Sequence, residues 1–456
     1  MSGRVTPAWF DDAKLGIFVH WTAAAVPAYA PVGPSPFEIA AAEGEEAAFA
    51  KSPYVEWYQN ALAIDGSPVA EHHAEHFPGV GYETFVAEFL AGHAGWDPVA
   101  WADLFGDVGA RYVVFVTKHH DGVTLWPSDT PNPFRPGWSA GRDCVGDLAA
   151  AVRGRDMRFG TYYSGGLDWT FGGLPITSTR SMFEAIPQSS DYVAYADAHW
   201  RELIDRYQPC VLWNDIGYPG AGDLDALFDH YYGVVPDGIV NDRFIWGSPP
   251  ERAAVDFVTP EYSTTAPESG RWEATRGLGT SFGYNRLEPA SSYLSVDELV
   301  ALLVDVTARG GNLLLNVGPM GDGRIPWTQV ERLRGLGAWL DTNGSAVFDT
   351  RPWAAAPGGG GPAESTAADG RDVRFTWSPV DGAVNAVVLG ATPGSDAAAA
   401  TVSLDWPGPA PAPEAVVTRL GHGRPLAWHH GDGRLTVHLT DAPADDPAIT
   451  LRIATA

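Results

Sequence analysis

RYVVFVTKHHDG, residues 111–122, sets an unbroken apolar run from Tyr112 to Val116 against a polar end of one lysine, two histidines and an aspartate. A strand apolar on both faces belongs in a parallel sheet covered by helices, and its polar end belongs where the core stops. The same design recurs in LGIFVHW (15–21), MRFGTYYSG (157–165), CVLWND (210–215), GIVNDR (238–243), DFVTPEY (256–262), GTSFGYN (279–285) and NLLLNVGP (312–319). Helical periodicity fills 147–155, 191–207, 223–232, 296–309 and 327–343, and Ser295 with Glu298 predicts a capping box at the fourth of these. Eight such strands alternating with helices predict an α/β fold, a closed (β/α)8-type (TIM) barrel. The fifth to seventh units lack long helices, so the barrel is expected to be distorted there.

Downstream the pattern changes. AAAPGGGGPAEST (354–366) reads as a flexible connector, and VRFTWSP, AVNAVVLG, ATVSLDW, AVVTRLG, RLTVHLT and AITLRIA read as the strands of a small β-sandwich. The expected organisation is a catalytic barrel over 1–345, a linker over 346–366 and a β-sandwich over 367–456. A long insertion separates the first two strands at about residues 38–76, where function often resides.

Composition narrows the chemistry. With 56 acidic against 29 basic residues the formal net charge is −27, which repels phosphate backbones and anionic lipid, so neither nucleic acid nor membrane is an expected partner. A neutral sugar carries no such penalty, and 18 tryptophans offer flat apolar faces for one. The opening MSGRVTPAWFDDAKLG has no signal-peptide pattern and no window has the length of a membrane span, so a cytoplasmic enzyme is expected. Only Cys144 and Cys210 are present, 66 positions apart in a chain of 456 residues, which predicts neither a disulfide framework nor a cysteine-bound metal. The glycine-rich GGNLLLNVGPMGDGRIP (310–326) lacks the Gly-Lys-Ser/Thr ending of a phosphate loop.

In a parallel barrel the C-terminal strand ends converge on one mouth. Here they bring His20, His119, His120, Tyr163, Trp213, Asp215, Arg243, Glu261, Phe282, Tyr284 and Asn285. A lone histidine on an apolar strand is usually structural, and adjacent residues such as His119 and His120 normally face opposite ways. The carboxylates are more telling: two of them flanking a glycosidic bond suffice to hydrolyse it. Neither HxH nor HExxH spacing occurs, so no metal and no cofactor are expected.

WFDDAKLGIFVHW, EWYQN (56–60), VVFVTKHHDG, DLAAAVRGRDMRFGTYYS, LWND, VNDR, TPEY, WEATRGLGTSFGYN and LLVDVTARGGNLLLNVGPMGDG follow one another in an order that resembles the retaining α-L-fucosidases of glycoside hydrolase family 29, over roughly residues 9–345. The resemblance implies a fucosylated oligosaccharide or glycoconjugate as substrate and Asp215 of LWND as the nucleophile. Glu261 of TPEY is the first choice for acid/base, with Glu273 and Glu56 as alternatives. It also implies sugar-binding roles for His20, Glu56, Trp57, His119, His120, Tyr163, Trp213, Arg243 and Phe282. Two positions depart from the family: Thr22 stands where HWG is usual, and Val123 where an aromatic is usual. A related exo-glycosidase on another L-galacto-configured sugar, and a non-catalytic sugar-binding protein, are the competing readings. The oligomeric state stays open, a homo-oligomer included, and aglycone preference is expected to reside in loops such as 30–55 and 165–190.

Overall fold

The computed structural model describes residues 4–245, 255–357, 359–390, 401–440 and 446–454. Gly358 of the expected connector and Ala400, which opens ATVSLDW, lie outside them.

Eight strands form one parallel sheet: β1 (Leu15–Val19), β2 (Tyr112–Lys118), β3 (Arg158–Tyr163), β4 (Val211–Asn214), β5 (Ile239–Val240), β6 (Phe257–Val258), β7 (Arg271–Gly277) and β8 (Asn312–Val317). Their order is β5-β4-β3-β2-β1-β8-β7-β6, and a parallel bridge from Asn241 to Phe257 brings the two edges together into a nearly closed barrel. β5 and β6 are short and followed by no long helix among the described residues, as anticipated above, whereas the seventh unit does carry one, Val296–Ala308.

The seventh strand needs correction. It is Arg271–Gly277, whereas 279–285, the segment expected as a strand, is the loop that follows it. The reason is electrostatic: β7 carries Glu273 into the barrel, where its carboxylate accepts hydrogen bonds from the Tyr112 hydroxyl and from Trp213 Nε1 at 3.1 Å. A charged residue breaks the apolar pattern that marks the other strands, although partners make its burial tolerable.

Strand alternation sorts the core into two layers. Phe18, Tyr112, Val114, Tyr162, Val211, Trp213 and Leu314 fill the barrel, while Ile17, Val113, Phe115, Tyr163, Leu212 and Leu315 face the helices. The helices fall at Cys144–Arg153, Ser190–Tyr207, Leu224–Val234, Val296–Ala308 and Trp327–Asn343. The Ser295–Glu298 capping box is present. Among the described residues no helix is long and apolar enough to cross a membrane.

The insertion after β1 is helical rather than loose, with helices at Pro36–Glu43, Glu45–Ala50, Tyr58–Leu62 and Pro68–His76. Beyond the barrel, antiparallel strands form two sheets around a separate core that includes Trp353, Phe375, Trp406, Leu435 and Leu451. Part of the expected connector is built into this unit: Arg351–Pro352 and Glu364–Thr366 are strands, and Trp353 is buried. Arg374 bonds Asp305 at 2.5 Å and Thr376 Oγ1 donates to the Ala346 carbonyl at 2.7 Å, which ties the sandwich to the barrel helices.

Candidate active site

A cavity of about 260 Å³ opens at the C-terminal ends of the barrel strands. Its floor is charged on one side. Asp215, directly after β4, accepts hydrogen bonds at Oδ1 from Arg243 Nη1 (2.9 Å) and the Ile216 amide (3.0 Å), and at Oδ2 from the Tyr162 hydroxyl (2.9 Å). Arg243 follows β5 and reaches with Nη2 to Glu261 Oε2 at 3.0 Å, so a single guanidinium holds both carboxylates. Glu261 Oε1 also accepts from the Tyr54 hydroxyl at 2.7 Å. The guanidinium lies 4.7 Å from the Trp213 ring centroid, and its Nε donates to Thr259 Oγ1 at 2.9 Å. Burial disfavours its charge, but Asp215 and Glu261 outweigh that and push its pKa above the ordinary arginine value.

The backbone is strained at both carboxylates. Ile216 follows Asp215 at φ 53° and Tyr262 follows Glu261 at φ 49°, the left-handed region that β-branched and bulky residues avoid. Each turn aims the preceding carboxylate inward where the strand ends. At Ile216 the conformation is held by the Gly166 amide, which donates to the Asp215 carbonyl at 3.1 Å. A Cβ on Gly166 would lie 1.9 Å from the Ile216 carbonyl oxygen, so this approach requires glycine.

The opposite side of the floor is neutral. His20 Nδ1 pairs with Asn316 Oδ1 at 2.6 Å and His120 Nδ1 with Ser164 Oγ at 2.6 Å. Burial lowers His20 to a pKa of about 4 and His120 to about 3, each against an opposing pull from Asp215. His119 is depressed well below the ordinary histidine range, again by burial and then by the neighbouring His120. Both His119 and His120 line the cavity, because the register shifts between Val116 and Lys118 and the chain leaves the strand there.

Glu56 and Trp57 come from the helical insertion. The Gly283 amide donates to Glu56 Oε2 at 2.8 Å, and burial, only partly offset by such bonds, raises the carboxyl to a pKa of about 8. The Trp57 ring sits 5.3 Å from His120 and 5.6 Å from Trp169. Phe282, on the 279–285 loop, lies 5.0 Å from His20 and 5.3 Å from Tyr54. Tyr284 and Asn285 belong to the same loop but are not in the cavity wall; Asn285 instead donates to the Ala30 carbonyl at 3.0 Å.

Two further sequence candidates lie elsewhere. Tyr163 pairs in register with Asn214 and turns to the helix side, where its hydroxyl meets His199 Nδ1 at 3.1 Å. Its neighbour Tyr162, in register with Trp213, occupies the cavity instead. Glu273 is fully buried beneath Trp213 and takes no part in the cavity wall; burial raises it to about 7, opposed by the bonds from Tyr112 and Trp213. Missed by the sequence reading were Tyr162, Tyr54 and Thr259. Only Tyr162 had a usable signal, since strict alternation back from the inward Asp215 and Trp213, through the parallel register, selects it over Tyr163.

Residues 1–345 match the family model described as alpha-L-fucosidase. A Thermotoga maritima alpha-fucosidase in complex with a mechanism-based inhibitor is 38% identical, covers 99% of this chain and 97% of its own, and superposes with a TM-score of 0.83. The human plasma alpha-L-fucosidase is 31% identical over 452 residues, 94% of this chain and 84% of that protein. The rat plasma enzyme is 33% identical over 447 residues, 93% of this chain and 85% of its own.

Proposed function

The chain belongs to the α-L-fucosidase family, and on that premise we propose how its residues divide the reaction, with Asp215 as nucleophile and Glu261 as acid/base. It is a glycoside hydrolase that releases terminal α-L-fucosyl groups with retention of configuration. The observation that carries the assignment is the shared guanidinium of Arg243 between the two carboxylates.

Asp215 attacks the anomeric carbon as the bond to the leaving oxygen breaks, and Glu261 delivers its proton to that oxygen. Once Asp215 is esterified its charge is gone, and Arg243 has Glu261 as its remaining carboxylate partner. Glu261, ionised by having given up its proton, then takes one from water while the hydroxide adds to the anomeric carbon and Asp215 departs. The same glutamate thus serves first as acid and then as base, held by Arg243 on the same side of the cavity as the nucleophile.

His20, His119 and His120, kept neutral by burial, are suited to exchange hydrogen bonds with ring hydroxyls, and Trp213 and Phe282 to cover apolar faces of the sugar. Glu56 is the second reading for the acid, because it shares the cavity and keeps its proton to a pH of about 8. A cytoplasmic working place belongs to the same proposal; it is supported by the free buried thiols of Cys144 and Cys210 and is checked by fractionating cells.

The test is to inactivate the enzyme with a 2-deoxy-2-fluoro-α-L-fucosyl donor and map the labelled peptide. The expected label is on Asp215. A label on another carboxylate would overturn the assignment, and β-L-fucose as the first product by proton NMR would contradict retention.

A further inference from the structure

Outside the charged floor, the wall of the cavity changes character. Phe37, Phe49 and Met182 line its outer part, contributed by the helices Pro36–Glu43 and Glu45–Ala50 and by the helix Thr179–Glu184. Glu45 clasps the two walls together, accepting from the Thr179 amide at 3.2 Å and from its hydroxyl at 3.0 Å. The helix bearing Phe37 is fixed at its start by the Ser35–Glu38 capping box and a proline at the first turn.

Phe37 nevertheless leaves 57% of its surface to solvent. A single exposed aromatic is ordinary in itself. Its location is not, because Phe37 and Glu261 both also line a second cavity of about 560 Å³, together with Ser35, Ser263, Arg276 and Thr280. Both cavities therefore meet at the group that protonates the leaving oxygen. The aglycone must depart past that group, and the large apolar face standing there is Phe37.

We infer that Phe37 is the platform of an aglycone subsite that takes a neutral pyranose, stacked by its apolar face on the ring and hydrogen-bonded on its polar edge within the second cavity. The inference rests on the fucosidase reading with Glu261 as the acid. Neutrality follows from the charges present: with Glu261 carrying its proton, Glu38 and Arg276, the one cation of the second cavity among the described residues, offset each other, in a protein of net charge −27. A uronate or sulfated aglycone would meet net repulsion.

The experiment compares kcat/KM of the unaltered enzyme, Phe37→Ala and Phe37→Trp on three donors. These are α-L-fucosyl fluoride, a fucosyl disaccharide ending in a neutral hexose, and its hexuronate counterpart. Phe37→Ala is expected to lose roughly tenfold on the neutral disaccharide, the scale of one aromatic stacking contact, while fucosyl fluoride changes less than about twofold. Phe37→Trp retains the disaccharide activity. Equal losses on fluoride and disaccharide, or no loss on either, would overturn the platform. Hexuronate turnover equal to that of the neutral substrate would overturn the specificity for neutral rings. Failure of the unaltered enzyme to hydrolyse fucosyl fluoride would instead strike the fucosidase reading itself.

Discussion

The half of the barrel mouth built on β4, β5 and β6 is charged, and the half built on β1, β2 and β8 is neutral. On the charged side, Asp215, Arg243 and Glu261 are locked to one another, two of them next to strained residues and all beyond the ends of strands of four residues or fewer. On the neutral side, longer strands of five to seven residues end in His20, His119 and Asn316, with the rings kept uncharged by burial. The difference separates bond-breaking from recognition. Charge is confined to where it must appear in the transition state, and the side that grips hydroxyls does so without a net charge that would attract the wrong ligand.

The sharpest way to break the comparison is on the charged side. Asp215→Gly is expected to lose at least roughly 10³-fold in kcat, by analogy with removal of a covalent nucleophile elsewhere, and added azide to restore turnover as the inverted β-fucosyl azide. Steady-state kinetics with product NMR checks this. Next comes Arg243→Met, which leaves two carboxylates buried without their cation. It should cost on the order of 3–5 kcal/mol of stability at neutral pH, as measured by denaturant unfolding.

The neutral side predicts smaller effects and a pH signature. His20→Asn should lower kcat/KM by roughly tenfold, the worth of one lost substrate hydrogen bond. Because the native ring has a pKa of about 4 against roughly 6.5 when unfolded, the unfolded chain binds the extra proton between those values. Stability is therefore lost as pH falls through that window, and the variant's stability curve should be flatter there. The smallest contrast is between neighbours: Tyr162→Phe should cost roughly tenfold in kcat, for its hydrogen bond to Asp215, whereas Tyr163→Phe should stay within about twofold.

The same division explains what the sequence disclosed. Strands such as β2 and β8 are legible because each carries an unbroken apolar run, and Asp215 because it follows another such run at β4. β7 is not, because Glu273 and Arg276 look like loop residues until Tyr112 and Trp213 are seen to satisfy the buried carboxylate. Tyr163 was chosen over Tyr162 because a strand's last residue was taken as its mouth-facing one, although period-two alternation decides the face. Tyr54, which reaches Glu261 from an insertion 207 residues away, carries no local mark at all.

The central claim is that Glu261, coupled through Arg243 to Asp215, is the acid/base. Its most direct test compares Glu261→Ala, Glu56→Ala and Glu273→Ala on a natural fucosyl disaccharide and on an aryl fucoside with an acidic phenol, with and without azide. Glu261→Ala is expected to cripple the disaccharide, spare the aryl substrate and yield a retained α-fucosyl azide. That combined signature in Glu56→Ala or Glu273→Ala, and not in Glu261→Ala, would contradict the account.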